Sequence, residues 1–307
     1  MYIADDSRYE RTEYRYCGRS GLRLPAVSLG LWQNFGVLND YAEMKETVLA
    51  AFDRGVTYFD LADNYGPPPG EAERNFGRIL REELHAYRDE IVIATKSGYD
   101  MWPGPYGSFG SRKHMLADLD NSLRRLGLEY VDIFYHHRPD PDTPLEESMT
   151  ALTDAVRAGK AVYPAVSNYP ARLLVQAAGI VRDRGYQLIA DQVRCNLLDR
   201  HILDDGLPEA AAAAGVGLTI FSPLEQGLLT DGAAGGTAGR RAATQPSLRK
   251  KLEEPATAAA IRSFAAEARA AGKSLNRYAV EWCLSIESVA SVIVGARGKA
   301  QLIGNLG

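Results

Sequence analysis

The sequence has little cysteine, no long apolar run and no excess of basic charge, and each absence excludes a class of protein. Its three cysteines, Cys17, Cys195 and Cys283, are far apart and odd in number, without the spacing of a disulfide framework or a zinc site. No apolar run approaches the roughly 18 residues of a membrane span, and the N-terminal MYIADDSRYERTEYRY lacks the apolar core of a signal peptide. We therefore expect a cytoplasmic protein and no metal.

The charge balance points to a small-molecule partner. The formal net charge is −4 at pH 7, so the chain lacks the basic footprint that nucleic acid or an anionic membrane requires. Hydrophobic residues make up 46% of the chain and charged residues 24%, which is typical of a globular protein with a sizeable core. Because α/β barrels often reach 307 residues as one unit, we expect residues 1–307 to form a single domain, with two domains as the alternative.

Short apolar segments alternate with longer amphipathic ones along the chain. A β-hairpin is predicted from Tyr14 to Leu24, where it would plug one end of the main fold. The strands predicted after it are Val27 to Leu29, Tyr58 to Phe59, Ile91 to Thr95, Val131 to Tyr135, Ala161 to Val166, Leu188 to Ala190, Leu218 to Phe221 and Ser291 to Val294. The helices predicted between them are Tyr41 to Arg54, Glu71 to Leu84, Ser111 to Leu126, Leu145 to Ala158, Ala171 to Arg184 and Leu207 to Ala214.

A glycine follows most of these helices, as expected at a helix C-terminus. Repeated β-then-α units in a chain of this length favour an α/β fold of the (β/α)8 TIM barrel type, with an open doubly wound sheet as the competing interpretation. The segment from Asp231 to Lys251 begins rich in glycine and alanine and ends basic, which predicts a long loop over the active face. The alternative is a surface loop without a functional role.

Polar residues close several of the predicted strands. Asp60 ends the second strand, Lys96 follows the third, His137 follows the fourth, and Tyr65 lies in the loop beyond Asp60. Because reactive groups of barrels sit at the carboxyl ends of strands, we expect these four side chains to meet. Taken singly, each has an ordinary structural role: a loop cap for Asp60, packing for Tyr65, a solvated strand end for Lys96 and a satisfied polar group for His137.

Together the four residue types suit acid–base chemistry. A phenol with an ordinary pKa near ~10 becomes a better acid when a neighbouring cation favours the phenolate, and Lys96 supplies that cation. Asp60 would hold the lysine in place and charged. His137 would donate or relay a hydrogen bond to a substrate oxygen.

Five segments resemble the aldo-keto reductases in order and spacing, and the likeness runs from Tyr14 to Gly307. They are GVTYFDLADNYG, IVIATKSG, LGLEYVDIFYHHRPD, VSNYP and FSPLEQGLL. The segments YDMWPGPYGS and GPPPGEAERNFG resemble more closely the bacterial reductases of glyceraldehyde 3-phosphate and methylglyoxal, which are related to the potassium-channel β subunits. The resemblance implies an NADPH-dependent enzyme that reduces small aldehydes, with Asp60, Tyr65, Lys96 and His137 as catalytic residues and Tyr65 as proton donor. The channel subunits have asparagine where His137 stands.

The resemblance also assigns binding residues. It implies that Phe221 stacks on the nicotinamide and that Arg297 binds a 2′-phosphate, which favours NADPH over NADH because a guanidinium binds phosphate oxygens in two places. No GxGxxG follows the first strand, so no Rossmann site is expected. The residues assigned to the cofactor are Trp32, Asp60, Ser167, Asn168, Gln192, Phe221, Ser222, Pro223, Leu224, Gln226, Gly227, Arg240, Gly295, Arg297, Gln301 and Asn305. Those assigned to the substrate are Trp32, Tyr65, Trp102, Tyr106, His137 and Arg138.

The sequence leaves the substrate, the class of activity and the oligomeric state open. Arg112, Lys113 and Arg138 would attract an anionic aldehyde, which favours a phosphorylated three-carbon substrate. The alternatives are an NADPH-binding, redox-sensing regulatory subunit with slow turnover, and a Schiff-base lyase that uses the amine of Lys96. The resemblance also implies a homo-oligomer, a tetramer or octamer.

The chain departs from the family in three places. Gly232 and Gly304 stand where the family often has lysine and glutamate, so we expect weaker cofactor affinity. The family's last helix and C-terminal tail would extend beyond Gly307.

Overall fold

The computed structural model describes residues 2–235 and 240–306, without the side chains of Arg240 and Arg241. Within these residues, an antiparallel hairpin precedes eight parallel strands that close into a barrel. The hairpin strands are β1 (Tyr14–Tyr16) and β2 (Arg23–Pro25), and the barrel strands are β3 (Val27–Gly30), β4 (Tyr58–Asp60), β5 (Val92–Ser97), β6 (Val131–His136), β7 (Ala161–Ser167), β8 (Ala190–Arg194), β9 (Gly217–Phe221) and β10 (Val289–Gly295). Each barrel strand pairs with the next along the chain, and β10 pairs with β3. The predicted (β/α)8 barrel is confirmed, and the open sheet is wrong.

Helices surround the barrel. They are α1 (Tyr41–Phe52), α2 (Glu71–Ile79), α3 (Arg112–Leu126), α4 (Leu145–Arg157), α5 (Ala171–Asp183), α6 (His201–Asp204), α7 (Leu207–Ala214), α8 (Asp231–Ala234), α9 (Arg240–Thr244), α10 (Pro246–Glu253), α11 (Pro255–Ala270), α12 (Leu275–Leu284) and α13 (Lys299–Leu306). A π-helical turn at Leu80–Leu84 continues α2, and short 3-10 helices lie at Arg8–Glu10, His85–Glu90 and Glu225–Gly227. Among the described residues, no helix is long and apolar enough to cross a membrane.

The ends of α3 illustrate how local sequence sets these boundaries. Ser111 precedes the helix, and its hydroxyl accepts a hydrogen bond from the backbone N–H of His114, which would otherwise lack an intrahelical partner. Gly127 ends the helix with a φ of 70°, a left-handed conformation that glycine adopts without strain.

The hairpin plugs the N-terminal end of the barrel. Cys17 and Leu24 pack into the same buried cluster as the inward-facing Tyr58, Ile133 and Tyr135. The Cys17 thiol donates to the carbonyl of Ile189 at 3.3 Å, and the backbone N–H of Arg19 donates to the carbonyl of Gly215 at 2.9 Å. The predicted plug is confirmed, and the polar side chains of the opposite end are left to form a site.

Two sequence predictions fail. The strand predicted at Leu188 to Ala190 lies at Ala190–Arg194. The prediction failed because it searched for runs of apolar residues, and the polar Asp191 and Gln192 interrupt this strand. The long loop predicted from Asp231 to Lys251 is helical where the structure describes it, as α8, α9 and α10. Leu248 of α10 is buried, so apolar packing orders this segment.

We expect Gly18→Ala to lower the free energy of unfolding by about 2 kcal/mol or more. Gly18 has a φ of 59°, and an added Cβ would lie 2.2 Å from the carbonyl oxygen of Gly215. Gly21→Ala is the matched control in the same hairpin, because a Cβ there meets nothing within 4 Å. Urea unfolding followed by circular dichroism measures both variants. Equal midpoints would mean that the hairpin does not constrain the barrel.

Candidate active site

The carboxyl ends of three neighbouring strands carry the predicted polar residues. Asp60 is the last residue of β4, Lys96 lies in β5, and His137 directly follows β6. Parallel pairing of β4 with β5 and of β5 with β6 sets the three side by side at one rim. Tyr65 reaches them from the loop that follows β4.

The ammonium of Lys96 is the centre of this group. Its Nζ lies 2.8 Å from both carboxylate oxygens of Asp60 and donates to the carbonyl of Leu61 at 2.7 Å. A further hydrogen bond runs to the hydroxyl of Tyr65 at 3.1 Å. Since an ammonium has no acceptor, the Tyr65 oxygen accepts this bond, and its own O–H remains to donate elsewhere.

Burial sets the electrostatics of the ion pair. Lys96 and Asp60 are both buried. Burial lowers the pKa of Lys96, and the Asp60 carboxylate offsets only part of that lowering. Asp60 also accepts hydrogen bonds from Gln192 Nε2 at 2.8 Å and from the Tyr58 hydroxyl at 3.2 Å. A buried charge pair is tolerated when its remaining lone pairs are satisfied in this way.

The phenol of Tyr65 departs from one expectation. Burial raises its pKa well above the ordinary value, and the charges of Asp60 and Asp63 raise it further. The contact with Lys96 is the one expected, but the net shift is opposite to the lowering that the sequence suggested. Desolvation and two carboxylates outweigh one ammonium that is shared with Asp60. Tyr65 is therefore protonated at neutral pH, the form that donates a proton.

His137 lies beside Tyr65, with ring centroids 5.9 Å apart in an edge-to-face arrangement. Burial and the charge of Lys96 hold its pKa well below the ordinary value, so the imidazole is neutral. Its backbone carbonyl accepts from Asn168 Nδ2 at 3.0 Å. Tyr99, which the sequence did not single out, packs edge-on against the same imidazole at 4.6 Å. Its position three residues after Lys96 is the sequence feature that could have identified it as a site residue.

The residues assigned to the nicotinamide lie at the same rim. Ser167 ends β7, its hydroxyl donates to the carbonyl of Gln192 in β8 at 2.7 Å, and Asn168 follows with a φ of 62°. Phe221 ends β9 and is half-buried. The consecutive strands β7, β8 and β9 thus bring these four residues to one rim, where Gln192 Nε2 donates to Asp60 at 2.8 Å.

The loop after β9 contains the residues assigned to the pyrophosphate, and its backbone is left-handed at Ser222, Glu225, Gln226 and Gly227. Left-handed non-glycine residues are costly and cluster at functional sites. The other assigned residues of the loop are Pro223, which is buried, and Leu224, which is half-buried.

The sequence missed Glu225, which holds this loop in place. Its buried carboxylate accepts from Arg194 Nη2 at 2.5 Å, Asn196 Nδ2 at 2.8 Å and Lys251 Nζ at 2.8 Å. The basic residues of α10 are the sequence feature that could have indicated a buried carboxylate partner. The structure thus ties α10 to the loop through one ion pair.

The residues assigned to the adenosine end follow β10. Gly295, Arg297 and Gln301 are exposed, and the Gln301 side chain accepts from the Arg297 backbone at 3.1 Å. Asn305 of α13 is buried, and its Nδ2 has no hydrogen-bond partner among the described residues. A buried amide donor of this kind fits a ligand acceptor. The side chain of Arg240, the remaining assigned residue, lies outside the described residues.

The aromatic residues assigned to the substrate lie in two segments. The backbone of Trp32, which is 41% exposed, accepts from Gly66 N at 2.6 Å, next to Tyr65. Trp102 packs on His114 with ring centroids 4.8 Å apart, and Tyr106 is exposed. A cavity of about 550 Å³ is lined by residues 100–104 with Gly107 and Ser108.

The cations expected near the substrate differ in their surroundings. Arg138 lies between the rings of Tyr99 and Phe109, 4.3 and 4.1 Å from their centroids, and donates to the carbonyl of Gly98 at 2.9 Å. Arg112 is instead paired with Asp154 of α4, and Lys113 lies over the ring of Tyr106. Arg138 alone is held at the end of β6, directly after His137.

Comparison with known proteins identifies the family of this chain. A model of the aldo/keto reductase family matches residues 26–307, so the chain belongs to that family and is an oxidoreductase. Members of the family typically use NADH or NADPH.

Two kinds of relatives cover nearly the whole chain. It is 47% identical to L-glyceraldehyde 3-phosphate reductase of Escherichia coli (strain K12), over 100% of this chain and 90% of that protein. It is 34% identical to a probable voltage-gated potassium channel subunit beta of Oryza sativa subsp. japonica, and 33% identical to one of Arabidopsis thaliana. Each of these alignments covers 96% of this chain and 90% of the relative.

We expect Asp60→Asn to lower the free energy of unfolding by roughly 3 to 5 kcal/mol, because it leaves the buried ammonium of Lys96 without its counter-charge. The matched control is Glu82→Gln, which removes the carboxylate of an exposed pair with Arg78 and should leave the midpoint nearly unchanged. Denaturant titration at neutral pH compares the two. An Asp60→Asn protein as stable as the control would mean that Lys96 is neutral in the folded protein.

Proposed function

We propose that the protein is an NADPH-dependent reductase of small aldehydes in which Tyr65 donates the proton. The observation that carries the proposal is the hydrogen bond of 3.1 Å between Lys96 Nζ and the Tyr65 hydroxyl, within a buried pair of Lys96 and Asp60. When bound, the reduced nicotinamide supplies the hydride.

The residues of this chain supply the rest of the chemistry. Because the Tyr65 oxygen accepts from Lys96, its O–H is available to a substrate carbonyl oxygen. As the proton leaves, the ammonium 3.1 Å away stabilises the phenolate that forms. The neutral imidazole of His137 orients the same carbonyl oxygen by hydrogen bonding. Asp60 holds Lys96 charged and in place.

Residues along four strand ends would hold the dinucleotide. Ser167, Asn168 and Gln192 suit the carboxamide, and Phe221 offers a ring to stack on the nicotinamide. The loop of Ser222, Pro223, Leu224, Gln226 and Gly227, together with Arg240, would bind the pyrophosphate. At the far end, the Nδ2 of Asn305, which has no hydrogen-bond partner among the described residues, suits adenine, and Gly295 and Gln301 are proposed to bind the same end of the cofactor. The exposed guanidinium of Arg297 suits a 2′-phosphate, which is the reason for proposing NADPH.

We propose a phosphorylated three-carbon aldehyde as the preferred substrate. Arg138 supports this choice, because Gly98 and Ser108 use only two of its five N–H groups. The neighbouring carboxylate of Asp100 is exposed and lies 3.9 Å from Nη2, where a substrate phosphate would compete with it. Trp32, Trp102 and Tyr106 would form the apolar wall. The relative that is 47% identical is named L-glyceraldehyde 3-phosphate reductase, which agrees.

The two alternatives receive less support. A redox-sensing regulatory subunit would follow the relatives named as channel subunits, but these are 34% and 33% identical, against 47% for the reductase. A Schiff-base lyase needs a free amine on Lys96. Its Nζ instead donates to Asp60, Leu61 and Tyr65, so all three N–H groups of the ammonium are engaged.

We further propose that the chain forms one domain, works in the cytoplasm and assembles as a homo-oligomer, a tetramer or octamer. The buried free thiols of Cys17, Cys195 and Cys283 suit a reducing compartment. The oligomer rests on the likeness to the reductases.

Tyr65→Phe should reduce kcat for aldehyde reduction by ~100-fold to ~10,000-fold, because it removes the proton donor. NADPH affinity, measured by fluorescence quenching, should stay within about threefold of the parent, since the phenol contributes no cofactor contact in the proposal. Tyr41→Phe is the matched control, because the Tyr41 hydroxyl donates to Glu82 on the surface. The turnover of this variant should equal that of the parent protein. Comparable turnover in Tyr65→Phe would mean that the proton comes from another group.

With NADPH, kcat/KM should be at least ~10-fold higher for glyceraldehyde 3-phosphate than for glyceraldehyde, because a phosphate contact with arginine contributes at least about 1.4 kcal/mol. Arg138→Met should remove this preference while keeping the packing between Tyr99 and Phe109. Arg112→Met, which breaks only the pair with Asp154, should preserve it. Equal kcat/KM for the two substrates in the parent protein would rule out the phosphate preference. Faster turnover with NADH would contradict the role given to Arg297.

A further inference from the structure

A second cluster of ligating side chains lies behind His137, and it does not depend on the proposed function. Asp63 comes from the loop after β4, and His114 and Asp118 come from one face of α3, four residues apart. Each offers one ligand atom, and these atoms all lie within 4.8 Å of one another. All three side chains are completely buried.

The tautomer of His114 leaves a lone pair for a ligand. Its Nδ1 lies 3.1 Å from the backbone carbonyl of Tyr106, and a carbonyl only accepts, so Nδ1 carries the proton. Nε2 is then the nitrogen available as a ligand, and it has no hydrogen-bond partner among the described residues. A histidine that donates one ring nitrogen to a carbonyl and offers the other is the usual arrangement of a metal ligand.

The carboxylates are equally short of donors. Both oxygens of Asp118 and Oδ2 of Asp63 lack a hydrogen-bond partner among the described residues. The nearest cation is Arg125, whose Nη2 lies 3.7 Å from Asp118 Oδ1, but whose Nε is bound to Glu73. One guanidinium therefore faces three buried carboxyl groups. A divalent cation between Asp63 and Asp118 would balance the two remaining negative charges.

We propose that Asp63, His114 and Asp118 bind a divalent transition-metal ion. One imidazole nitrogen and two carboxylate oxygens suit Zn²⁺ or Mn²⁺. Bond lengths of about 2.0 to 2.2 Å place such ligand atoms roughly 3 to 4.4 Å apart. Ligand atoms that are spread here over as much as 4.8 Å would therefore move inward as the ion binds. The ion would join the loop that carries Tyr65, two residues after Asp63, to helix α3. Asp63 Oδ1 also lies 4.0 Å from His137 Nδ1, so the ion would stiffen the wall of the active site.

The test measures metal binding directly. Protein is dialysed against a chelator and then buffer, and ZnCl₂ or MnCl₂ is titrated in by calorimetry, with bound metal counted by mass spectrometry. We expect one equivalent of one of these ions to bind and to raise Tm. A wild-type protein that takes up neither ion, and is not stabilised by either, would overturn the proposal and leave protons as the neutralising charges.

Variants locate the site. Asp118→Asn and His114→Gln preserve shape and should weaken binding by more than ~100-fold, since loss of an outer-shell partner alone costs up to that much. Asp120→Asn, a partly exposed residue on the same helix, and His201→Gln, an exposed histidine beside Asp199, control for adventitious surface binding. Binding that survives in the first pair and is lost in a control would overturn the proposal. If both cluster variants misfold, anomalous scattering from a wild-type crystal decides by the presence or absence of a peak between Asp63 and Asp118.

Discussion

The buried ion pair between Lys96 and Asp60 is the interaction on which the open end of the barrel depends. Both charges are buried, so the loss of hydration must be offset by their mutual attraction and by hydrogen bonds to the remaining donors and acceptors. Tyr58, Gln192 and the carbonyl of Leu61 meet that need. The pair thereby joins strands β4, β5 and β8, and the phenol of Tyr65 is held against the ammonium.

The barrel makes this arrangement possible because one end is packed for stability and the opposite end carries the reactive groups. The hairpin and an apolar interior fill the N-terminal end, where Cys17 and Leu24 pack against inward-facing aromatic and aliphatic side chains. The carboxyl ends of the strands are left for polar residues, and loops can vary there without disturbing the closed ring. Polar groups that would be costly elsewhere accumulate at this end, including the cluster of Asp63, His114 and Asp118 behind the imidazole of His137.

Much of this was open to prediction from sequence. The alternation of apolar segments with amphipathic ones predicted the barrel and the hairpin, and the polar residues at strand ends predicted which side chains would meet. The strand at Ala190–Arg194 was misplaced because Asp191 and Gln192 interrupt its apolar pattern. Glu225 and its three partners were missed, since ion pairs between distant segments leave no local pattern.

Local sequence by itself determined the hairpin, seven of the eight barrel strands and the polar residues at the ends of β4, β5 and β6, because periodicity and capping act over a few neighbours. Only the tertiary structure decided the protonation states. The pKa of Tyr65 rises where a nearby lysine alone would lower it, because desolvation depends on everything packed around the phenol. The tertiary structure also decided which distant residues meet. His114 and Asp118 are four residues apart in the sequence, but they come close to Asp63 only when α3 packs beside the loop after β4.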